Sequence, residues 1–430
     1  MEGTRLGGFG GSDTAKAAGL AAATMAANLI AVASTIVFTR LLGADGYGSL
    51  AALLNLTVIL TVPGSALQVA AAREGTLGRL GRGPELAATL DRWNRHLGFL
   101  LVGVLVVSAI AREPLAALLN VDEEWAAAAV PPAGVLWLLL SVQRGLLQSL
   151  HAYRPVAYSI VLDAGFRLVA GAALVAAGLG VTGAFLATWV SFAGAAFALM
   201  FVLRRRLGAP ARDTVQHPLR KLALGGAVPI AALTLVAALQ NADVILAKHV
   251  LDKDTAGVYA ACTVAAKALV WLAVGLGMWV LPEATRRAAD GGDSRPILLR
   301  AFALVGVVAA PALLTYAIAP ELLLRLAFGP EYERGSSVLL ILGVAYGLLA
   351  LLYLAVQFLL GLHHRRFTVA LAVAAAALPL ALSGADDLRT FAWSVLAIFA
   401  ASALAVIAPA LWKRPVALPP GEHDVVAAVP

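Results

Sequence analysis

The chain has 430 residues, of which 61% are apolar and only 13% are charged, and its formal net charge is +7. Soluble proteins average roughly 45–50% apolar and about 25% charged residues, so the composition excludes most soluble enzymes as well as collagen-like and disordered chains. It favours a polytopic membrane protein, in which the excess apolar surface faces lipid. The single cysteine, Cys262, excludes an internal disulfide and a multi-cysteine metal site.

Twelve stretches are apolar and long enough to cross a bilayer, since a spanning helix needs about 20 mainly apolar residues. Backbone polar groups must be paired inside lipid, and runs of this length are typical of helices, so the sequence predicts an all-α polytopic membrane protein. In chain order, the predicted spans are 17–38, 49–71, 96–111, 128–150, 156–178, 182–203, 222–247, 258–281, 299–319, 337–360, 367–384 and 391–411. We expect the first to remain in the protein as a span, because its apolar run continues through Phe38, past a short segment that imitates a signal cleavage site.

The basic residues indicate how the spans are oriented. With a cytoplasmic N-terminus, 22 of the 32 lysines and arginines fall in inner segments, 7 fall in outer segments and 3 fall within spans. Cytoplasmic loops are enriched in lysine and arginine, so both termini are predicted to be cytoplasmic. The positive charge is then mainly a topology signal, and nucleic acid is not an expected partner.

A basic loop divides the spans into two sets of six. The sequence predicts an N-terminal lobe at 1–203, a cytoplasmic linker at 204–221, a C-terminal lobe at 222–412 and a cytoplasmic tail at 413–430. Three motifs recur about 210 residues apart: Gly46-Tyr47 with Gly257-Val258-Tyr259, Glu113-Pro114-Leu115 with Pro320-Glu321-Leu322, and Leu150-His151…Arg154 with Leu362-His363…Arg366. They predict two parallel repeats of one six-helix unit. Transporters built from such repeats bind substrate between the halves, near the membrane midplane.

Charged residues within the spans are the first functional candidates. There are five of them: Arg144, Asp163, Arg167, Asp243 and Lys267. Each costs at least about 2.5–3.5 kcal/mol at a span centre, so such residues are functional candidates by default. At about 1.5 Å of rise per residue, Arg167 and Lys267 lie roughly 16 and 14 Å deep, near the midplane.

The three basic candidates are each open to two interpretations. Arg167 and Asp163 are four residues apart on one helical face, so they form a structural ion pair, or Asp163 holds Arg167 for a substrate in a water-filled cavity. Arginine suits a diphosphate because its planar fork donates two hydrogen bonds to phosphate oxygens. Lys267 faces the same cavity or pairs with another helix. Arg144 lines the cavity or extends to the inner headgroups.

The seventh predicted span holds Asp243 and two further candidates. Asp243 is either a structural hydrogen-bonding group or, with its neighbour Asn241, part of a site for a coupling cation. Pro229 is either a hinge or a static kink, since a proline within a helix removes a backbone donor. The sequence contains no HExxH or GxxxxGK[ST] motif, so we expect no metal site, no cofactor and no catalytic residue.

Three segments resemble signatures of a transporter family. Phe38 to Gly48 (FTRLLGADGYG), Asn241-Ala242-Asp243 with Gly257-Val258-Tyr259, and 322–332 (ending in FGPEY) are similar to segments of Wzx-type polysaccharide flippases. These flippases belong to the multidrug/oligosaccharidyl-lipid/polysaccharide exporter superfamily. The resemblance covers residues 15–412, essentially all the predicted spans.

This resemblance implies a function as well as a fold. It implies two six-helix lobes that translocate a polyprenyl-diphosphate-linked glycan, by alternating access, from the inner to the outer leaflet of the bacterial plasma membrane. The implied partners are that lipid-linked glycan, the lipid bilayer and proteins of polysaccharide assembly. Arg144, Asp163, Arg167 and Lys267 are the candidate cavity residues for this cargo.

Other functions remain open. A cation-coupled multidrug exporter of the same superfamily would need acidic residues deep in the cavity, and the first and tenth predicted spans contain none. A major-facilitator transporter normally carries an acid in its inner loop between spans two and three, whereas residues 75–83 include none. A membrane glycosyltransferase would need a large outer loop with catalytic acids, and the acidic loop at 122–124 is short.

Overall fold

The computed structural model describes residues 10–211, 217–290 and 292–412. Throughout these ranges the chain is helical and contains no strand, so the predicted all-helical fold is confirmed. The predicted tail at 413–430 and residues 212–216 of the predicted linker lie outside the described residues.

The chain divides into two compact units, one up to Ile230 and one from Ala231 onward. The helices of the first are α1 (Gly10–Thr76), α2 (Pro84–Ile110), α3 (Arg112–Leu119), α4 (Glu124–Ser149), α5 (Tyr153–Leu174), α6 (Gly180–Leu207) and α7 (Leu219–Gly225). The remaining helices are α8 (Ala227–Val250), α9 (Lys253–Ala289), α10 (Arg295–Ile318), α11 (Pro320–Ala327), α12 (Ser336–Gly361), α13 (Phe367–Leu382) and α14 (Leu388–Trp412). A π-helical turn, Val175–Leu179, joins α5 to α6, and a 3₁₀ helix, Pro330–Gly335, precedes α12.

Helix α1 contains both of the first two predicted spans. Its 67 residues would extend about 100 Å if the helix were straight. Gly43, however, has φ 68° and ψ −177°, a combination essentially restricted to glycine. The side chains of Tyr47 and Thr35 are close enough to influence each other, although a straight helix would separate these positions by about 18 Å. The chain therefore bends sharply at Gly43, and this single residue replaces the loop expected between the first two spans.

Helices α5 and α6 are joined in a similar way. Gly178 (φ 90°) and Gly180 (φ 53°) leave the right-handed helical region, so the chain turns within the π-helical segment. The hydroxyl of Ser191 in α6 contacts Asp163 in α5, 28 positions earlier. The two helices therefore lie side by side and antiparallel.

Helix length and composition show a multi-pass membrane protein. Nine helices of the described chain are long and apolar enough to cross a bilayer. Two of these, Ala22–Thr76 and Tyr153–Leu207, contain the glycine bends, while α13 is shorter, at 16 residues. Phe99, Phe197 and Leu380 are each at least 75% exposed, which suits side chains that face lipid.

The two units repeat their local structure. Helices α4 and α12 both have 26 residues, and both are followed by a histidine in the left-handed conformation, His151 (φ 55°) and His363 (φ 56°). In each case the N–H groups of the histidine and of the next residue donate to carbonyls of the last helical turn, which is the Schellman arrangement. An eight-residue helix also precedes each of the two long helices, α3 before α4 and α11 before α12. The backbone thus repeats where the sequence motifs repeat.

Pro229, the hinge or kink candidate, lies close to the start of a helix. The predicted span 222–247 is divided, since α7 ends at Gly225 and α8 begins at Ala227. Pro229 therefore lies in the first turn of α8, where a helix has no intrahelical acceptor for the N–H group that proline lacks. No mid-helix kink results, and the residue instead lies beside the boundary between the two compact units.

Candidate functional site

A buried carboxylate joins three helices of the second unit. Asp243 in α8 is completely buried. Its Oδ2 accepts hydrogen bonds from the hydroxyl of Tyr259 in α9, at 2.5 Å, and from that of Tyr346 in α12, at 2.6 Å. Its Oδ1 is also buried and has no hydrogen-bond partner among the described residues.

Lys267 completes this group of side chains. Its Nζ donates to Oδ1 of Asn241 at 3.1 Å and lies 5.7 Å from the ring centroid of Tyr346, within the range of a cation–π interaction. Lys267 and Asp243 also attract each other electrostatically. We call Asn241, Asp243, Tyr259, Lys267 and Tyr346 the Asp243 cluster.

The geometry of the Asp243 cluster bears on two of the open interpretations. Lys267 is only 6% exposed and bonds to Asn241 of another helix, which favours an interhelical partner over an open cavity. Asp243 already has two hydroxyl donors and a nearby ammonium group, and that positive charge would repel a second cation. The described residues contain no group of three or more histidine, cysteine, aspartate or glutamate side chains that could hold a metal ion. The structural interpretation of Asp243 is therefore favoured.

A second group of polar side chains lies in the first unit. Arg144 in α4 is 3% exposed. Its Nε donates to Oγ of Ser159 at 3.0 Å, its Nη2 donates to the carbonyl of Ser159 at 3.2 Å, and its guanidinium lies 5.3 Å from the ring centroid of Trp137. Arg144 is therefore held inside the first unit by its hydrogen bonds to Ser159.

Asp163 and Arg167 do not form the ion pair that was one of the two interpretations of their spacing. The hydroxyl of Ser191 in α6 lies 2.5 Å from Oδ1 of Asp163, so the carboxylate is directed toward α6. In the described parts of the chain, no oxygen of Asp163 lies within 4 Å of a nitrogen of Arg167, although both residues act electrostatically on Arg144. Asp163 therefore does not hold the guanidinium of Arg167 in place.

Arg167 differs from the other candidates because it has no partner among the residues that the structure describes. It is partly exposed, and it makes no hydrogen bond or ion pair with any described residue. Arg144, Asp163, Asp243 and Lys267 are all bonded to neighbouring helices. A guanidinium inside an apolar helix that has no partner in the described parts of the chain is available to an anion from outside.

An apolar groove of about 870 Å³ opens between α5 and α6. Asp163 and Ser191 contribute to its lining, together with the exposed side chains of Tyr158, Leu162 and Phe166. Apart from this pair and the hydroxyl groups of Tyr158 and Ser159, the lining is hydrocarbon, so the groove suits a lipid chain.

The hydrogen-bonding partners of the charged residues were not identified from the sequence. Ser159, Ser191, Tyr259 and Tyr346 supply them. A charge within a span needs hydrogen-bonding partners, and these four side chains carry hydroxyl groups. The sequence therefore indicated the type of partner. Selecting among the many hydroxyl-bearing residues requires knowing which helices pack together.

Known proteins of solved structure share this fold. No protein-family model matches the sequence, and no curated protein matches it. An inward-facing multidrug resistance MATE family transporter of the MOP superfamily aligns with 94% of this chain and 95% of its own, with a TM-score of 0.73 and 12% identity. The lipid II flippase MurJ, in an inward closed conformation, aligns with 91% of this chain and 86% of its own, with a TM-score of 0.66 and 12% identity. This chain has the fold of these MOP transporters.

A third structure adds to this comparison. The MATE multidrug transporter DinF-BH aligns with 92% of this chain and 96% of its own, with a TM-score of 0.63 and 15% identity. The likeness therefore extends along nearly the whole chain. Multidrug transporters and a lipid flippase share the fold, so the fold alone does not select the cargo.

Proposed function

We propose that this protein is a membrane flippase that moves a polyprenyl-diphosphate-linked oligosaccharide from the inner to the outer leaflet of a bacterial plasma membrane. The glycan would then enter surface polysaccharide assembly. The fold shared with MurJ supports this function, as do the segments 38–48 and 322–332, which resemble those of Wzx-type flippases. The partners are the lipid-linked glycan, the bilayer and polysaccharide-assembly proteins.

The observation that carries the proposal is the guanidinium of Arg167, which bonds to no residue within 10–211, 217–290 and 292–412. A diphosphate presents paired anionic oxygens that match the two parallel donors of an arginine. Arg144 adds a second positive charge nearby, and Asp163 cancels only one of the two. The first unit therefore offers a weakly cationic site, and its groove between α5 and α6 offers an apolar surface for the isoprenoid tail.

The proposal includes a topology of twelve spans with both termini in the cytoplasm. The bends at Gly43 and Gly178 support it, because each allows a 55-residue helical segment to cross the membrane twice. The two six-helix lobes would alternate between inward-open and outward-open states. Pro229, beside the boundary between the units, is the proposed hinge.

Replacement of Arg167 tests the proposed cargo site. We expect Arg167→Ala to lower delivery of glycan to the cell surface by about tenfold or more, since a hydrogen bond to a charged group contributes about 1.5–3 kcal/mol. Arg167→Lys should retain part of the activity, because lysine keeps the charge and loses the fork. Arg220→Ala, at an exposed arginine in α7, is the matched control. Full delivery by Arg167→Ala at normal protein abundance would remove this role.

A second candidate is a cation-coupled multidrug exporter. The fold of two MATE multidrug transporters favours it, and so does the unpartnered Oδ1 of Asp243. The ammonium of Lys267 beside that carboxylate opposes it. If the protein is such an exporter, its overexpression should raise resistance to cationic drugs, and Asp243→Asn should abolish the resistance without loss of protein. Unchanged drug sensitivity in cells that overexpress the wild type would reject this candidate.

A further inference from the structure

A small apolar cleft lies in the second unit, where α13 begins and α14 ends. Its volume is about 180 Å³, and its lining includes Leu362, Phe367, Ala370 and Val406. An apolar cavity of roughly 150 Å³ can hold a benzene ring. The cleft therefore has room for about six carbons of a hydrocarbon chain.

Basic side chains surround the mouth of this cleft. His364 and Arg366 line it, and Arg365 is adjacent in the chain. Both arginines are exposed, and neither forms an ion pair with any residue that the structure describes. They precede the N-terminus of α13, whose helix dipole adds further positive potential. The mouth is thus suited to an anion, and the interior is suited to an alkyl chain.

The charged and apolar parts of the cleft follow one another along the helices in the same order as the headgroup and the acyl chain of a phospholipid. The arginines lie immediately before α13, and Ala370 lies about one turn, or about 5 Å, into it. Val406 and Pro409 lie within the last two turns of α14. Charge at the helix ends with apolar space one turn deeper corresponds to a headgroup at the membrane surface and an acyl chain below it.

We propose that this cleft is a binding site for an anionic phospholipid. The phosphate lies against Arg365 and Arg366, and the first carbons of one acyl chain fill the space beside Phe367 and Ala370. A lipid with net negative charge is favoured over a zwitterionic one, because each basic residue near an anionic lipid surface contributes about 1 kcal/mol. The site belongs to the second unit, whereas Arg167 belongs to the first, and it does not depend on the identity of the transported molecule.

Thermal unfolding of the purified full-length protein in detergent tests this site. Phosphatidylglycerol should raise the unfolding temperature, whereas phosphatidylcholine and inorganic phosphate should not. The variant Arg365→Gln/Arg366→Gln should bind phosphatidylglycerol about 30-fold more weakly, or about fivefold per arginine. Ala370→Phe should also lose the stabilisation, since it fills the cleft and keeps both arginines. Arg389→Gln removes an exposed arginine at the opposite end of α14 and should respond like the wild type.

Three outcomes would overturn the proposal. These are equal stabilisation by phosphatidylcholine, stabilisation by inorganic phosphate alone, and an equal loss in Arg389→Gln. If the double variant does not fold, native mass spectrometry of the wild type and of Ala370→Phe decides the question. The wild type should retain phosphatidylglycerol in preference to phosphatidylcholine, and Ala370→Phe should not; equal retention by both proteins contradicts the site. Neither measurement involves transport. Both therefore still test the lipid site if the protein proves to have no flippase activity.

Discussion

Tyr346 and Asp243 are 103 positions apart in the chain, and a hydrogen bond of 2.6 Å joins them where both side chains are completely buried. Tyr259 donates to the same carboxylate oxygen at 2.5 Å. The bonds connect α8 and α9 to α12, whose residues are largely buried at the centre of the second unit. One ionisable group thus fixes the relative positions of three helices, which gives the Asp243 cluster a measurable role in stability.

Removal of the Tyr346 hydroxyl should destabilise the protein. Tyr346→Phe leaves the ring in place and removes one donor to a charged acceptor, so we expect the free energy of unfolding to fall by about 1.5–3 kcal/mol. Tyr353→Phe is the matched control on the same helix. Among the described residues its hydroxyl bonds only to the neutral amide of Gln357, and its loss should cost about 0.5–1.5 kcal/mol. Denaturation in detergent measures both, and equal costs would contradict a special role for the Asp243 contact.

Lys267 and Asp243 should be energetically coupled. Lys267→Met removes the positive charge near the buried carboxylate, and Asp243→Asn removes the negative charge near the buried ammonium. We expect each single variant to lower the unfolding temperature. The double variant should be more stable than the sum of the two predicts, with a coupling energy of about 0.5–3 kcal/mol. Strict additivity in this double-mutant cycle would show that the two charges act independently.

Hydropathy predicts the helical class of this fold well, because continuous apolar runs of span length have few alternatives in lipid. It does not predict how the chain turns. Residues 39–48 contain charged and small residues typical of a loop, yet they stay helical except at Gly43. One glycine with a positive φ is sufficient to bend the helix sharply. Hydropathy also does not predict whether Pro229 kinks a helix, because a proline in the first turn causes no kink and α8 begins only two residues before it.

The charged candidates could be predicted and their partners could not. A charge within an apolar span is conspicuous because of its insertion cost, and this principle identifies Arg144, Asp163, Arg167, Asp243 and Lys267. Their partners come from helices that are distant in sequence, and hydropathy contains no information on which helices pack together. The interpretation of Asp163 and Arg167 as an ion pair relied on helical spacing alone, and the pair does not form because Ser191 of α6 binds the carboxylate.

Gly43 should tolerate alanine poorly. An added Cβ atom meets no atom within 4 Å at Gly43 or at Gly19. A difference between alanine variants at these two positions therefore reports the backbone conformation and not a steric clash. Gly43→Ala forces a side chain into a region essentially restricted to glycine and should cost about 1–3 kcal/mol. Gly19→Ala, within the helical part of α1, should stabilise the protein by up to about 1 kcal/mol. Unfolding temperatures measure both effects, and equal tolerance at the two positions would contradict the bend.

The single cysteine makes the proposed topology directly measurable. Cys262 is completely buried, so Cys262→Ala provides a background free of cysteine. Glu113→Cys and Arg205→Cys then place one exposed thiol on each proposed side of the membrane. In intact cells or spheroplasts, an impermeant maleimide should label position 113, and it should label position 205 only after permeabilisation. The reverse pattern would contradict cytoplasmic termini.

Translocation by purified protein in proteoliposomes tests the central claim most directly. The cargo is a fluorescent polyprenyl-diphosphate-linked oligosaccharide, and the readout is its accessibility to an impermeant quencher on each side of the vesicle. The proposed function predicts that the wild type moves this lipid, that Arg167→Ala moves it about tenfold more slowly or worse, and that Arg220→Ala matches the wild type. Translocation of a cationic dye in its place, with no movement of the lipid-linked glycan, would contradict the flippase function.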